Sequence, residues 1–140
     1  MSDAHGLTVE RDPDPHDLAV LEERLAAAAV AAAGVGEEQE FGVFARDDAE
    51  LVAGASGAIW GDCCQVHTLW VDERRRGGGL ARAIMAAVEA EARARGCRLV
   101  MGLTYDVLTR DFYDRLGYRT VGALENCPTG TTTRWYSKDL

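Results

Sequence analysis

The sequence predicts an α/β protein built on a mixed β-sheet of about six to seven strands. Extended segments joined by very short turns, between residues 41 and 71, are typical of an antiparallel meander. A strand, a long helix and a second strand follow within residues 63–104, an order that implies parallel pairing of those two strands. The second strand contains the apolar run Leu99 to Leu103, which is typical of a central strand covered on both faces.

The N-terminal part of the chain predicts one short strand followed by a helix. Leu7 to Arg11 alternates in polarity as a strand does. Asp14 and Pro15 form the start signal of a helix, which carries leucines at helical spacing and ends near Gly34. Its alanine-rich stretch fits one continuous helix and two shorter helices equally. The meander strands after it are Phe41 to Ala45, Leu51 to Trp60 and Cys63 to Val71.

The long helix begins at Gly78 or Gly79 and ends before Gly96. Its apolar stripe repeats every four residues and consists of Leu80, Ile84, Val88 and Ala92. Two i,i+4 ion pairs are expected on its solvent-exposed side, Glu89 with Arg93 and Glu91 with Arg95.

The C-terminal part predicts a short helix between strands. This helix contains Phe112, Tyr113 and Leu116, and it is capped by Thr109 or Asp106 and stopped by Gly117. The remaining strands are Tyr118 to Leu124 and Thr131 to Leu140.

Length and composition indicate one domain over residues 1–140. The net charge of −8 argues against a nucleic-acid partner and would tend to attract cationic small molecules. No apolar run has the length of a membrane span, so no membrane partner is expected. The N-terminus lacks the features of a signal peptide, and we expect a cytoplasmic protein.

The four cysteines are expected to be buried, reduced thiols, because no Cys-x-x-Cys pair occurs. Cys63, Cys64 and His67 share one predicted strand and bear metal-binding groups. A fourth ligand at zinc spacing is missing from the sequence, so no metal is expected.

The segment from Leu69 to Ala81 has the composition of a phosphate cradle. Three arginines and three glycines lie between a strand and a helix. Glycines allow the backbone to approach a bulky anion, and a helix N-terminus adds unpaired N–H donors. The sequence therefore predicts a phosphate or pyrophosphate site here.

Three segments together resemble the Gcn5-related N-acetyltransferase (GNAT) superfamily, in particular its small bacterial single-domain members. Arg76 to Ala81 fits the acyl-CoA-binding pattern Arg/Gln-x-x-Gly-x-Gly/Ala, with Ala81 at the last position. Asp111 to Tyr118 is similar to the family's FYxxxGF segment, and Leu124 to Gly130 is similar to its proline-glycine loop. The resemblance covers the chain from about Cys63 to its end.

The resemblance implies a GNAT fold, with helices on both faces of a sheet that splays between the strands Cys63–Val71 and Arg98–Thr104. Acetyl-CoA would be the co-substrate, with its pantetheine arm in the gap. Backbone groups of the strand end would hold that arm, and the loop would hold the pyrophosphate. Exposed arginines before the loop reach the nucleotide phosphates or are merely solvated. The implied cofactor-binding residues are Leu69, Trp70, Val71, Arg75, Arg76, Gly77, Gly78, Gly79, Leu80 and Ala81.

Acyl transfer to an amine requires a neutral amine, donors for the oxyanion and a proton for the leaving thiolate. Tyr113 occupies the family position that supplies this proton, Tyr105 is its substitute, and a core aromatic is the alternative interpretation of Tyr113. His67 is the candidate base, since neutral imidazole suits proton removal near neutrality, although a strand histidine is often only structural. Strand alternation predicts that His67, Leu69 and Val71 share one face. By resemblance, the Val71 N–H is the oxyanion donor.

The predicted acceptor is a primary amine on a cationic small molecule. Family resemblance places the acceptor pocket at Gly34–Glu40 and Leu124–Thr131, where Glu37, Glu38, Glu40 and Glu125 are either substrate ligands or solubilising residues. The alternatives are a protein N-terminal or lysine acetyltransferase and a non-catalytic acyl-CoA-binding relative. Family members often dimerise through the last strand, and Trp135 and Tyr136 are compatible with a homodimer.

Overall fold

A computed structural model gives the structure of the protein and describes residues 5–109 and 111–140. Contacts between Cα atoms divide the chain into two compact units, residues 1–37 and 38–140. The first unit contains one continuous helix, α1 (Pro15–Ala33). The Asp14 carboxylate accepts a hydrogen bond from the His16 N–H at 2.8 Å, and Gly34 ends the helix at a φ of 70°.

Residues 7–11 are not a strand, contrary to the prediction from their alternating polarity. Alternation describes only the side chains, and a strand forms only where a neighbouring strand takes up its backbone hydrogen bonds. In the described residues, the sheet of the second unit takes none of its strands from this segment.

The second unit contains one mixed sheet with the strand order β1–β2–β3–β4–β6–β5. Its strands are β1 (Gln39–Asp47), β2 (Glu50–Trp60), β3 (Cys63–Val71), β4 (Leu99–Tyr105), β5 (Arg119–Glu125) and β6 (Thr132–Asp139). The predicted antiparallel meander β1–β2–β3 and the predicted parallel pairing of β3 with β4 are both confirmed. The last strand, β6, lies between β4 and β5, so both of its edges already have strand neighbours and it cannot extend the sheet into a partner.

The long helix α2 (Leu80–Ala94) connects β3 to β4 and covers the core. Its buried residues are Ile84, Met85, Val88, Glu89 and Ala92, a stripe one row wider than the predicted one. The hydrophobic core also includes buried residues of β2, β3 and β4 and three tyrosines, Tyr113, Tyr118 and Tyr136.

Glu89 of α2 is buried. The prediction that it pairs with Arg93 on the solvent-exposed side of the helix is therefore wrong. Glu89 follows Met85 by one turn on the inner side of the helix, where the Lys138 ammonium of β6 lies 2.6 Å from its Oε1. The second predicted pair is confirmed, because Arg95 Nε lies 3.0 Å from Glu91 Oε1. Helical spacing alone does not show which charged residue will meet a partner 49 positions later.

Two very short helices follow β4, where one was predicted. They are α3 (Asp106–Thr109) and α4 (Phe112–Arg115). Neither predicted residue caps α4: Asp111 occupies its N-cap position, and the Thr109 hydroxyl is hydrogen-bonded to the Thr104 hydroxyl. The chain therefore folds back onto the end of β4 before α4 begins.

Candidate active site

The strands β3 and β4 separate part of the way along their length. Their parallel pairing extends from Cys63–Leu99 to Val66–Gly102, yet β3 continues to Val71 and β4 to Tyr105. A cavity of about 640 Å³ opens between the diverging ends. Its walls come from β3, α2, β4, α3, α4 and β6, and they include Leu69, Val71, Thr104, Tyr105, Tyr113 and Tyr136.

The end of β3 directs backbone polar groups into this gap. Residues of an antiparallel pair alternate between those bonded to the neighbouring strand and those pointing away from it. The Asp72 N–H donates to the Val52 carbonyl of β2 at 2.8 Å. The N–H and C=O groups of Val71 and Leu69 therefore point away from β2. Consistent with this direction, Arg76 Nε donates to the Val71 carbonyl at 3.1 Å.

Trp70 contributes to the cavity differently from its two neighbours. It alternates with them in the β2–β3 ladder, opposite Gly54, so its backbone groups point towards β2. Trp70 also lines the cavity, and it is 44% exposed.

His67 lies at a β-bulge, where strict alternation fails. Ser56 pairs with Thr68 and Gly57 with Val66, which leaves His67 as the extra residue of β3. The predicted common face of His67, Leu69 and Val71 is wrong in part: the two aliphatic residues pack against the core, whereas His67 is exposed. His67 nevertheless lines the cavity.

The glycine-rich loop has the geometry of an anion-binding cradle. Gly77 and Gly79 both have a φ of 83°, a conformation that side chains with a Cβ rarely adopt. At all three loop glycines the space that a Cβ would occupy is open. Gly79 is the N-cap of α2 and makes no side-chain cap, so the first N–H groups of the helix retain no side-chain partner from that residue.

A second cavity, of about 320 Å³, adjoins the loop. Leu80, Ala81 and two of the loop glycines line it, together with four arginines, Arg75, Arg76, Arg82 and Arg115. The two cavities share Val71, Arg76, Ala81 and Phe112. They therefore form one continuous groove from the glycine loop to the separated strands, with positive charge concentrated at the loop end.

The two arginines before the motif are held by carboxylates, which neither predicted alternative included. Arg74 donates to the Asp72 carboxylate at 2.9 and 3.1 Å, and this hydrogen bonding lowers the pKa of Asp72 to about 2. Arg75 pairs with Asp47 of β1 and still lines the smaller cavity. Of the two, only Arg75 faces the groove.

The tyrosines form a buried cluster behind the larger cavity. Tyr113 is 6% exposed, and its ring stacks on that of Tyr136 with centroids 3.9 Å apart. Tyr118 packs edge-on against both rings. Burial raises the pKa of Tyr113 above its usual value of 10.0. Tyr113 is thus a core aromatic that also lines the cavity, so the two interpretations made from the sequence are compatible. Tyr105, its substitute, is exposed at the same cavity.

The structure does not bring the predicted acceptor glutamates together. Glu38 immediately precedes β1, whose first residue pairs with Ile59, at the end of the sheet opposite to Val71. Glu125 ends β5, at the same end of the sheet as Tyr105, because β5 and β4 are both antiparallel to β6. Neither residue lines the larger cavity, and Glu37 belongs to the other unit.

Sequence reasoning missed several residues of the groove. Arg82 lies in the first turn of α2 and Arg115 lies on α4, and in the sequence both resemble solvent-exposed helix charges. The sequence indicates for Tyr136 only that it is compatible with a homodimer, whereas in the structure its ring is buried against that of Tyr113. A spacing of 23 residues across two strands gives no sequence signal for that contact.

The cysteines take no part in this groove. All four are free, and Cys64 and Cys97 are buried as expected, but Cys127 is exposed and Cys63 is half-buried. Burial raises the pKa of Cys64 to about 11.

In residues 5–109 and 111–140, no group of three His, Cys, Asp or Glu side chains is placed to hold a metal ion. Nor does this part of the chain contain a helix of the length and apolarity needed to cross a membrane.

Comparison with known proteins identifies the fold and its class. The sequence profile of the Acetyltransferase (GNAT) family matches residues 6–118. The chain therefore belongs to the GNAT family, and it is an enzyme of the N-acetyltransferase class. The mixed six-stranded sheet with its helices is the fold of this family, which confirms the predicted fold class.

Individual relatives are also acetyltransferases. A blasticidin-S acetyltransferase of Streptomyces morookaense is 36% identical over 92 residues, which cover 65% of this chain and 68% of that protein. An acetyltransferase structure from Agrobacterium tumefaciens has a TM-score of 0.88 and 26% identity, covering 96% of this chain and 99% of its own. An aminoglycoside 6'-N-acetyltransferase complexed with coenzyme A has a TM-score of 0.63 at 19% identity, covers 94% of this chain and 95% of its own, and shows likeness of fold alone.

Proposed function

We propose that this chain transfers an acetyl group from acetyl-CoA to a primary amine of a cationic small molecule, by direct attack in a ternary complex. The observation that carries the proposal is the continuous groove. One end is a glycine loop with four arginines, and the other is a gap between strands, beside Tyr113, into which the backbone groups at the end of β3 point. A long ligand with a phosphorylated end and a reactive end fits this arrangement.

The residues of the groove fit acetyl-CoA in charge and in backbone chemistry. Outward-pointing groups of Leu69 and Val71 would hydrogen-bond the pantetheine arm as a neighbouring strand does. The N–H groups from Arg76 to Ala81 and the nearby guanidiniums would hold its phosphates. When bound, acetyl-CoA supplies the thioester carbonyl that is attacked and the sulfur that leaves.

Tyr113 is proposed as the general acid. A phenol is protonated at neutral pH, as a proton donor to a leaving thiolate must be, and burial raises the pKa of Tyr113 further in that direction. Its burial excludes water from the phenol, and its position in the cavity wall gives it access to a ligand in the gap. Tyr105 is the alternative donor at the same cavity.

His67 is proposed as the base that takes the proton from the amine, directly or through a water. The bulge turns it out of the core and into the cavity wall, where an acceptor can reach it. The Val71 N–H, directed into the gap, is the proposed donor to the carbonyl oxygen as that oxygen gains negative charge.

A cationic acceptor is supported by carboxylates at the open end of the separated strands. Asp106 Oδ1 lies 2.6 Å from Arg134 Nε, and Asp114 and Glu125 also act on Arg134, whose pKa rises through the bond to Asp106 and these charges. Asp106 is directly paired with Arg134, and Asp114 and Glu125 add further negative charge to this region. Of the predicted acceptor glutamates, only Glu125 contributes to the negative charge near Arg134.

A polypeptide acceptor is the second candidate, and one observation favours it. Trp70 and Leu108 line the larger cavity and are 44% and 77% exposed. Exposed apolar side chains at the mouth of a site are typical of surfaces that contact another polypeptide, and a small polar cation would make little use of them.

Thiol release from acetyl-CoA, measured across a panel of amines, tests the proposal. The panel should contain blasticidin S, an aminoglycoside, simple diamines, and peptides with a free N-terminus or a lysine. We expect turnover with one cationic small molecule and little with peptides. The reverse preference would establish the polypeptide acceptor. Saturable acetyl-CoA binding without thiol release from any amine would instead indicate a non-catalytic relative.

His67→Gln tests the base in the same assay. We expect kcat to fall about 100-fold at neutral pH and to recover partly at high pH, where the free amine is already neutral. Gln65→Asn is the matched control, because Gln65 is exposed on the same strand outside the groove. Equal pH profiles for His67→Gln and the unmodified protein would exclude His67 as the base.

A further inference from the structure

The smaller cavity concentrates positive charge in a protein that is acidic as a whole. The sequence contains 23 aspartates and glutamates and 15 lysines and arginines, and its net charge at pH 7 is −8. Four arginines nevertheless line this cavity of about 320 Å³, and in the described part of the chain no aspartate or glutamate lines it. Guanidiniums that share a cavity without carboxylates repel one another, and a bound anion removes that cost.

Two of the four arginines already have protein partners. Arg75 pairs with the Asp47 carboxylate of β1, and Arg76 Nε donates to the Val71 carbonyl at 3.1 Å. Both arginines immediately precede the loop glycines in the sequence. Their place beside the N–H groups of the loop suits the pyrophosphate that the proposed function assigns to it.

The other two arginines have no such partner. Arg82 lies in the first turn of α2, and Arg115 is the last residue of α4. Among residues 5–109 and 111–140, neither guanidinium makes an ion pair or a hydrogen bond. The fold therefore brings two unpaired cations from separate helices to the wall of one cavity.

The position of Arg82 in its helix is also unfavourable for a cation. The N-terminus of a helix carries a partial positive charge, which favours acidic side chains in the first turn. The first turn of α2 contains no acidic residue, so nothing within that turn offsets the charge of Arg82. An anion bound between Arg82 and Arg115 would offset it.

Acetyl-CoA carries phosphates of two kinds. Two of them form the pyrophosphate, and the third is a monoester on the 3′-hydroxyl of the ribose. A phosphate monoester has a charge of about −1.5 to −2 at neutral pH and three acceptor oxygens. Arginine guanidiniums match such a group in charge and in the geometry of their donors.

We propose that Arg82 and Arg115 form a subsite for the 3′-phosphate, and that this subsite makes the protein select acetyl-CoA over its 3′-dephospho form. The inference rests on the proposed acetyl-CoA-dependent function and adds to it a specificity for the donor. The loop glycines line the same cavity as both arginines, so the pyrophosphate and the 3′-phosphate would occupy neighbouring parts of it. No covalent bond forms or breaks at the subsite.

Calorimetric titration with acetyl-CoA and with 3′-dephospho-acetyl-CoA measures this selection without turnover. We expect the unmodified protein to bind acetyl-CoA about 30-fold more tightly than the 3′-dephospho form. Arg82→Gln and Arg115→Gln should each weaken acetyl-CoA binding about tenfold and change the binding of the 3′-dephospho form by less than about twofold. The double variant should bind the two ligands with nearly equal Kd.

The second ligand separates a contact to the 3′-phosphate from other effects of the substitutions. Equal losses of affinity for both ligands would mean that the arginines contact the pyrophosphate or support the loop, and this result would overturn the proposal. Arg93→Gln is the control for Arg82→Gln, because Arg93 is exposed on the same helix outside the groove. Arg119→Gln is the control for Arg115→Gln, because it removes an arginine paired with Asp139 outside the groove.

Both controls should keep the preference of the unmodified protein for acetyl-CoA. A loss of that preference in the controls would show that the total charge of the protein selects the ligand, which would also contradict the subsite.

Nucleotides test the subsite apart from the rest of the ligand. Adenosine 3′,5′-bisphosphate contains the 3′-phosphate but lacks the pantetheine arm and the thioester, and AMP lacks the 3′-phosphate as well. We expect the bisphosphate to displace acetyl-CoA at a concentration about tenfold lower than AMP requires, and the double variant should abolish this difference. Failure of the bisphosphate to displace acetyl-CoA more effectively than AMP would refute the subsite.

The subsite and the proposed acetyl transfer fail in different ways. Preference for the 3′-phosphorylated ligand without thiol release from any amine would leave the subsite intact and refute the transfer. Thiol release with equal kcat/KM for acetyl-CoA and its 3′-dephospho form would support the transfer and refute the subsite.

Discussion

The two cavities of the groove are assembled in different ways. The smaller one takes nearly all of its lining from residues 71–82, a single continuous stretch, with only Phe112 and Arg115 added from α4. The larger one draws on six separate helices and strands, β3, α2, β4, α3, α4 and β6, which the chain brings together over about half its length. The difference indicates that anion binding is encoded locally, whereas the placement of the reactive side chains depends on packing of distant strands.

The largest effect is expected at the larger cavity. Tyr113→Phe should reduce kcat about 100-fold while leaving the KM for acetyl-CoA within about twofold, because the lost proton is needed only as the thiolate leaves. Steady-state thiol release measures both constants. Tyr105→Phe is the control at the same cavity, and a larger loss in that variant would assign the acid to Tyr105.

The next effect should come from the buried ion pair beneath the tyrosines. Glu89→Gln leaves the Lys138 ammonium with a weaker partner and should lower the free energy of unfolding by about 2 kcal/mol, a value reduced for the partial exposure of Lys138. Lys138 and Tyr136 lie on the same strand, and the ring of Tyr136 stacks on that of Tyr113. We therefore also expect the fall in kcat to be larger than any rise in the KM for acetyl-CoA. Denaturant unfolding and steady-state kinetics on the same variant check this.

Glu91→Gln is the control for that variant, since it breaks only the exposed pair with Arg95 on the same helix. Glu91→Gln should change the free energy of unfolding by no more than about 0.5 kcal/mol. Equal losses of unfolding free energy in the two variants would mean that the buried pair of Glu89 contributes no more stability than the exposed pair of Glu91.

A smaller effect is expected at the arginine-lined cavity. Arg115→Gln should raise the KM for acetyl-CoA about tenfold and leave kcat unchanged, because a charge-assisted contact to a phosphate acts on binding and not on the chemistry. Arg119→Gln removes an arginine paired with Asp139 outside the groove and is the matched control. A fall in kcat without a rise in KM would remove Arg115 from the phosphate site.

The smallest effect is expected in the dependence of kcat on alkaline pH. Burial raises the pKa of Tyr113 above 10.0, so the phenol remains protonated as the pH rises through the range where free tyrosine begins to ionise. The profile of kcat against pH should therefore show no alkaline decline below about pH 10. An alkaline decline with a midpoint below roughly pH 9 would assign the proton to another group.

Much of this fold follows from local patterns. The start and end of α1 follow from Asp14, Pro15 and Gly34, whose backbone preferences act within one turn. The bounds of β3 agree with the prediction to the residue, because sharp turn signals flank it. The failed strand at residues 7–11 and the buried Glu89 have a common cause, since each depends on what lies beside it in space.

The sequence by itself determined the binding loop. Its glycines and arginines are adjacent along the chain, and their backbone conformations and charges need only the helix that follows. Tertiary structure alone decided the rest of the groove: the end of the β3–β4 ladder, the bulge that exposes His67, and the stacking of Tyr113 on Tyr136. The physical reason is that these features arise from pairing and packing between segments far apart in sequence, which no local pattern records.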